Sequence, residues 1–203
     1  GADPNAQNKE NVTSLHYAAA YSGENSEVVE ALLADDRIDV NAQEQYGQTP
    51  LMTAAQKGNV GVLTALLMHD NIEVNAQDND GMTALMLAAE KGHEAVVVAL
   101  LEAGADPSLR DSKGGTLLMV AIERSPDCAM ALLNSGKDLG INKDDIVKAF
   151  SGIRPMSWKK EVLAVFLEII KKEEAKSKPI SGYLECLEAA CQGISDMRGS
   201  AAI

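Results

Sequence analysis

The chain has 203 residues and a formal net charge of −12. Phosphate-backbone binding needs a basic footprint, so this balance argues against nucleic acid and against an anionic membrane surface. No apolar run approaches the roughly 20 residues of a membrane-spanning helix, and the N-terminus lacks the basic region and apolar core of a signal peptide. Aromatic residues make up 3% of the chain, with Ala and Leu abundant, a composition suited to short packed helices. The acidity serves solubility; the alternative is a basic partner steered by the field.

In chain order, residues 1–7 (GADPNAQ) match the exit of a unit that recurs later as GADP at 104–107. The chain therefore opens inside a pattern. The expectation is a longer protein with at least one further unit upstream; the alternative is a native N-terminus that keeps half a unit as a cap. The first full unit covers about residues 8–41, with a polar turn, a helix after Thr13 and a second helix ending in Leu32 and Leu33. It carries two extra residues between its helices, near 22–26, and one in its exit, 35–40. The second unit repeats the plan from Thr49 to Leu66 and Leu67, with the same long exit at 69–74. The third, residues 78–106 (DNDGMTALMLAAEKGHEAVVVALLEAGAD), is the most regular. The fourth begins at 111–116 (DSKGGT) and then degrades. Its inter-helix break at Ser125 and Pro126 is one residue shorter, and Pro126 fits the first turn of a helix over 127–133.

The period is the strongest signal. Thr13, Thr49, Thr83 and Thr116 are spaced by 36, 34 and 33 residues, and Leu15, Leu51, Leu85 and Leu118 keep the same steps. Thr caps a helix N-terminus through its hydroxyl, and Pro50 stands where a first-turn proline loses no hydrogen bond. Gly47, Gly81 and Gly114 take a turn position that favours positive φ, with Asn11 in the first unit. The alanine pairs at 18–19, 54–55 and 88–89 let helices approach closely. One such unit cannot bury its apolar faces, but stacked neighbours can.

GQTPL at 47–51, GMTAL at 81–85, AAEKGH at 88–93 and AGADP at 103–107 resemble ankyrin repeats. The resemblance covers roughly residues 1–138 and is specific because four repeats agree in register. It implies an all-α solenoid of helix-turn-helix units with β-hairpin-like loops. It also implies a protein–protein interaction module that binds on its concave face, through the hairpin tips and the first helices. Carried over position by position, the tips are Lys9 and Glu10, Gln45 and Tyr46, Asn79 and Asp80, and Ser112 and Lys113. The partner-binding strip implied is Tyr17, Tyr21, Tyr46, Gln48, Gln56, Lys57, Asp80, Met82, Leu87, Glu90, Lys91, Lys113, Val120 and Arg124. It holds three of the four tyrosines, a residue that joins a rigid apolar face to a polar tip.

Where the family usually has His near the helix start, only His16 keeps it; Met52, Met86 and Met119 replace it. Packing is the expected role of these methionines, with a Met-rich groove as the alternative. The resemblance also raises hydroxylation of Asn41 and Asn75, though such asparagines ordinarily hold the hairpins. An alternative function is the recognition arm of a larger multidomain enzyme or of a bacterial effector delivered into a host cell.

Residues 139–203 leave the pattern. Helices are expected after the cap signal at 142–145, from Ser157 to about Glu174, and from Pro179 onward, forming a C-terminal cap around Phe150, Trp158 and Phe166. Cys128, Cys186 and Cys191 are an odd count without disulfide spacing, which fits reduced thiols in a cytoplasmic compartment, or in host-cell cytosol for a delivered effector. No catalytic residue, metal ligand set or cofactor motif stands out. The cysteines of the C-terminal segment have no histidine beside them, and no glycine-rich phosphate loop follows a strand. The chain is expected to be a monomer or part of a longer protein.

Overall fold

The computed structural model describes residues 2–21, 26–141 and 145. The inter-helix insertion at 22–25 and the expected helices of the C-terminal segment, with Phe150, Trp158, Phe166, Cys186 and Cys191, lie outside the described residues. Two compact units divide the chain, Gly1–Ala149 and Phe150–Ile203, and the described residues all belong to the first.

Eight helices stand among the described residues, in four pairs: α1 (Ser14–Tyr21) with α2 (Glu27–Leu33), α3 (Pro50–Lys57) with α4 (Val60–Leu67), α5 (Ala84–Lys91) with α6 (Glu94–Glu102), and α7 (Leu117–Arg124) with α8 (Pro126–Asn134). There is no named strand among these residues, only one isolated antiparallel bridge between Arg110 and Thr116. The first helices form one layer, α1 on α3 on α5 on α7, and the second helices form another, α2 on α4 on α6 on α8. The fold is an all-α repeat solenoid.

Local chemistry sets each helix start. The Thr13, Thr49, Thr83 and Thr116 hydroxyl oxygens accept from the backbone N–H of His16, Met52, Met86 and Met119 at 3.4, 3.3, 3.2 and 3.3 Å. Each cap satisfies a donor that the first turn leaves without an intrahelical partner. α3 and α5 end on left-handed Gly58 and Gly92. α7 has no such glycine. Its chain turns at Ser125, in extended geometry, and the same serine caps α8 by accepting from Cys128 N–H at 3.3 Å. Pro126 occupies the first turn of α8, and that is how the fourth repeat manages with one residue fewer.

The core is aliphatic. Leu15, Leu51, Leu85 and Leu117 are buried in the inner layer, and Val29, Leu66, Leu100 and Leu132 in the outer one. A fully buried side chain of this size contributes about 2 kcal/mol of transfer free energy. Ala19, Ala54, Ala55, Ala88, Ala89 and Ala121 are inaccessible to solvent, which fits close approach of the inner helices. Met52 and Met86 are buried and Met119 half-buried, so the methionines pack inward as expected. Met52 goes further. Thr49 N–H points at its sulfur at 3.5 Å, as Thr13 N–H points at His16 Nδ1 at 3.3 Å. A soft thioether takes the acceptor position of the imidazole.

The loops between repeats share one hydrogen-bonded plan. The side-chain oxygen of Asn8, Glu44, Asp78 or Asp111 accepts from the N–H groups two and four residues on, at 2.7–3.1 Å. The hairpins then link in series: Gln45 N–H donates to Glu10 O, Asn79 N–H to Tyr46 O, and Ser112 N–H to Asp80 O, at 2.9–3.0 Å. Gly81 sits at φ +74°, and a Cβ there would fall 2.6 Å from Ser112 N, so both sterics and stacking require glycine.

Asparagines lock the loop bases. Asn5, Asn41 and Asn75 each accept, through Oδ1, from the N–H of Asp39, Glu73 and Asp106 in the next repeat, at 2.7–2.9 Å. Asn5 and Asn41 also donate through Nδ2 to Arg37 O and Asn71 O, both at 2.7 Å. These side chains therefore join neighbouring repeats.

Candidate interaction surface

The expected strip divides into two patches and a middle. At the N-terminal end Tyr17 and Tyr21, one helical turn apart on α1, are 51% and 80% exposed. Their rings stack with centroids 6.5 Å apart and planes inclined by 18°. Asn8 Nδ2 donates to Tyr17 Oη at 3.1 Å, which orients the first ring. Tyr46 projects from the second hairpin tip at 66% exposure.

In the middle, Gln48 and Gln56 are half-buried, and their carbonyls accept from His16 Nε2 at 2.9 Å and His93 Nε2 at 3.1 Å. Because His16 Nδ1 lies 2.8 Å from Thr13 Oγ1 and accepts from Thr13 N–H, the proton belongs on Nε2. Burial lowers the His16 pKa, against the opposing pull of Gln48 O and Glu44. Lys57 and Lys91 are exposed, and Lys91 Nζ lies 3.7 Å from Glu90 Oε1.

Leu87 requires a correction. The strip as expected from the sequence includes it, but it is only 4% exposed. Leu87 stands on α5, which packs against α3 on one side and α7 on the other. Its counterpart Tyr17, on α1, is 51% exposed. Leu87 is a packing residue.

The second patch is a groove between the third and fourth repeats, with a volume of about 480 Å³. Asp80, Met82, Glu90, Asp111, Lys113, Val120 and Arg124 line it. Six of these seven were expected from the sequence. Asp111 was not, because it belongs to the hairpin base, but Asp111 is legible as the counterpart of Asp78. The groove runs from the two hairpin tips to the C-terminal ends of α5 and α7, the surface on which this architecture presents side chains from adjacent units.

A second, shallower depression of about 440 Å³ lies on the outer layer, lined by Glu94, Val98, Leu101, Glu102, Ala131, Asn134, Ser135 and Lys137. Lys137 Nζ donates to Leu101 O at 2.6 Å and Ala105 O at 3.2 Å, holding the end of α6 in the way a basic C-cap does.

Residues 1–78 and 71–143 match the family model described as ankyrin repeats (3 copies). The chain belongs to the ankyrin-repeat family. No curated protein matches it. Ankyrin repeats are, in general, protein–protein interaction modules rather than catalytic ones. The thiol of Cys128, buried on α8 in the fourth ankyrin repeat, has its pKa raised by desolvation, which opposes use as a nucleophile. No helix among the described residues is long and apolar enough to cross a membrane.

One contact of the ankyrin stack escaped the sequence reading. Arg110 donates through both terminal nitrogens to Asp145, at 2.9 and 2.7 Å, and also to Gly114 O and Gly140 O, at 3.1 and 2.8 Å. Arg110 stands at the position of Gln77, which donates to Gly81 O at 2.7 Å and onward to Arg110 O at 2.9 Å. The guanidinium keeps the glutamine's two directions and adds a carboxylate. A Gln-to-Arg change at the end of a series is the signal that could have found it.

Proposed function

We propose that this chain binds a partner protein along its concave strip, as a preformed surface with no chemistry of its own, working as a monomer or as part of a longer protein in a reducing, cytoplasmic setting. The observation that carries the reading is the groove between the third and fourth repeats. Six residues that family position alone had nominated line one cavity of about 480 Å³. The tyrosines Tyr17, Tyr21 and Tyr46 extend the contact toward the N-terminal end. Stacked repeats hold both patches before any partner arrives, so little ordering entropy is lost on association.

The test compares partner capture by the wild-type chain and by the Tyr46→Ala, Arg124→Ala double variant. Both residues are exposed, so the circular dichroism and unfolding midpoint of the variant should match the wild type. A protein retained by the wild type and lost by the variant is the expected result. Identical capture by two folded chains would remove the concave strip from consideration.

A further inference from the structure

We infer that the groove between the third and fourth repeats selects an extended peptide segment carrying a basic and an acidic side chain on either side of an apolar one; the inference rests on the concave-face reading above.

Apart from Asp111 at the base of the fourth hairpin, the charges in the groove are sorted by repeat. Asp80 at the tip and Glu90 near the end of α5 place carboxylates on the third repeat. Lys113 at the tip and Arg124 at the end of α7 place cations on the fourth. Between them lie Met82 and Val120, both half-buried. Asp111 is already committed, since its Oδ1 accepts from Lys113 N–H at 2.9 Å and Gly115 N–H at 2.7 Å. Asp80, Lys113 and Arg124 have no side-chain ion pair among the described residues, and Glu90 has only the long, exposed contact to Lys91. Opposite charges thus line one groove with no ion pair joining them among the described residues.

That arrangement fixes the ligand's chemistry. A peptide of one sign meets attraction at one edge and repulsion at the other. A peptide of mixed sign satisfies both edges, with its cation over the third repeat and its carboxylate over the fourth. Met82 has the flexible, polarisable side chain that adapts to an apolar residue seated between them. A cavity of about 480 Å³ holds a few side chains rather than a folded face, which points to a peptide segment of the partner. The whole-chain charge of −12 would favour a purely basic ligand, but the cationic edge opposes one locally.

A library of random linear peptides is selected on the wild-type chain and, separately, on the Lys113→Glu, Arg124→Glu variant, whose groove is acidic throughout. Both replaced residues are exposed, and circular dichroism verifies that the variant is folded. Wild-type selections should enrich peptides with both a basic and an acidic residue flanking an apolar one. The variant should enrich purely basic peptides, and wild-type peptides should lose about tenfold in affinity for it, as two exposed attractions become repulsions. The same enriched set on both chains overturns the inference, as does an empty selection on the wild type. Peptides without the charge pattern that still lose binding to the Tyr46→Ala, Arg124→Ala variant overturn it while leaving the concave reading intact. Peptides insensitive to every one of these substitutions count against both.

Discussion

At the scale of single residues, His16 joins two repeats and carries a pH dependence with it. Its ring accepts at Nδ1 from the Thr13 backbone and donates from Nε2 to Gln48 O, an arrangement that needs the neutral form. Burial holds its pKa below the ordinary 6.5. The unfolded chain therefore takes up this proton at higher pH than the folded one. The stability that neutral His16 provides is fully present above pH 6.5 and is lost as pH falls toward the lowered folded value. Met52 and Met86 fill the same position without titrating. In His16→Met the unfolding midpoint should consequently fall less than in the wild type between about pH 7 and pH 5. Asp35 and Asp106, with pKa values held below 3.8 by bonds from Arg37 and Ser108, act in a more acidic window. Equal slopes for wild type and variant would show that His16 is not the titrating group.

At the scale of elements, what matters is how each repeat passes its unpaired groups to the next. Gln77 sends its amide to Arg110 O in the following repeat, and Arg110 sends its guanidinium to Gly140 O and Asp145. Asp145 is 3% exposed, and two of the bonds to its carboxylate come from this guanidinium. Arg110→Gln restores the residue of the second and third repeats but leaves that carboxylate without its bidentate partner. Losing one partner of a fully buried pair costs about 3–5 kcal/mol; with Arg110 one-third exposed, solvent screening reduces the expectation to about 2 kcal/mol, read by urea unfolding. Asp145→Asn in the same chain should recover part of the loss, and purely additive losses would deny the coupling. The elements themselves were legible because Thr, Gly and Leu recur in register, and the ankyrin resemblance, carried over on that register, named six of the seven residues lining the groove. Leu87 was misplaced because family position says which way a side chain points but not whether neighbouring helices cover it. Arg110 was missed because its partner lies where the period has ended.

At the scale of the molecule, the main helix–helix contacts among the described residues run to the paired helix or to the adjacent repeat. None of these main contacts joins repeat one to repeat four, so stability is approximately a sum of nearest-neighbour terms. Leu132 on α8 is fully buried and tests this. Leu132→Ala removes transfer free energy and opens a cavity, at a cost of about 2–5 kcal/mol. If coupling is local, hydrogen exchange should quicken across α6, α7 and α8, while the amides of α1 and α3 keep their rates under conditions where only partial opening is observed. The proposed binding strip would then loosen from one end: the groove bounded by α5 and α7 would lose its shape while the Tyr17, Tyr21 and Tyr46 patch kept its own. A selected peptide should weaken on Leu132→Ala even though the leucine never touches it. Uniformly faster exchange from α1 to α8 would instead mean that the stack opens as one unit and that no patch of this surface can be perturbed alone.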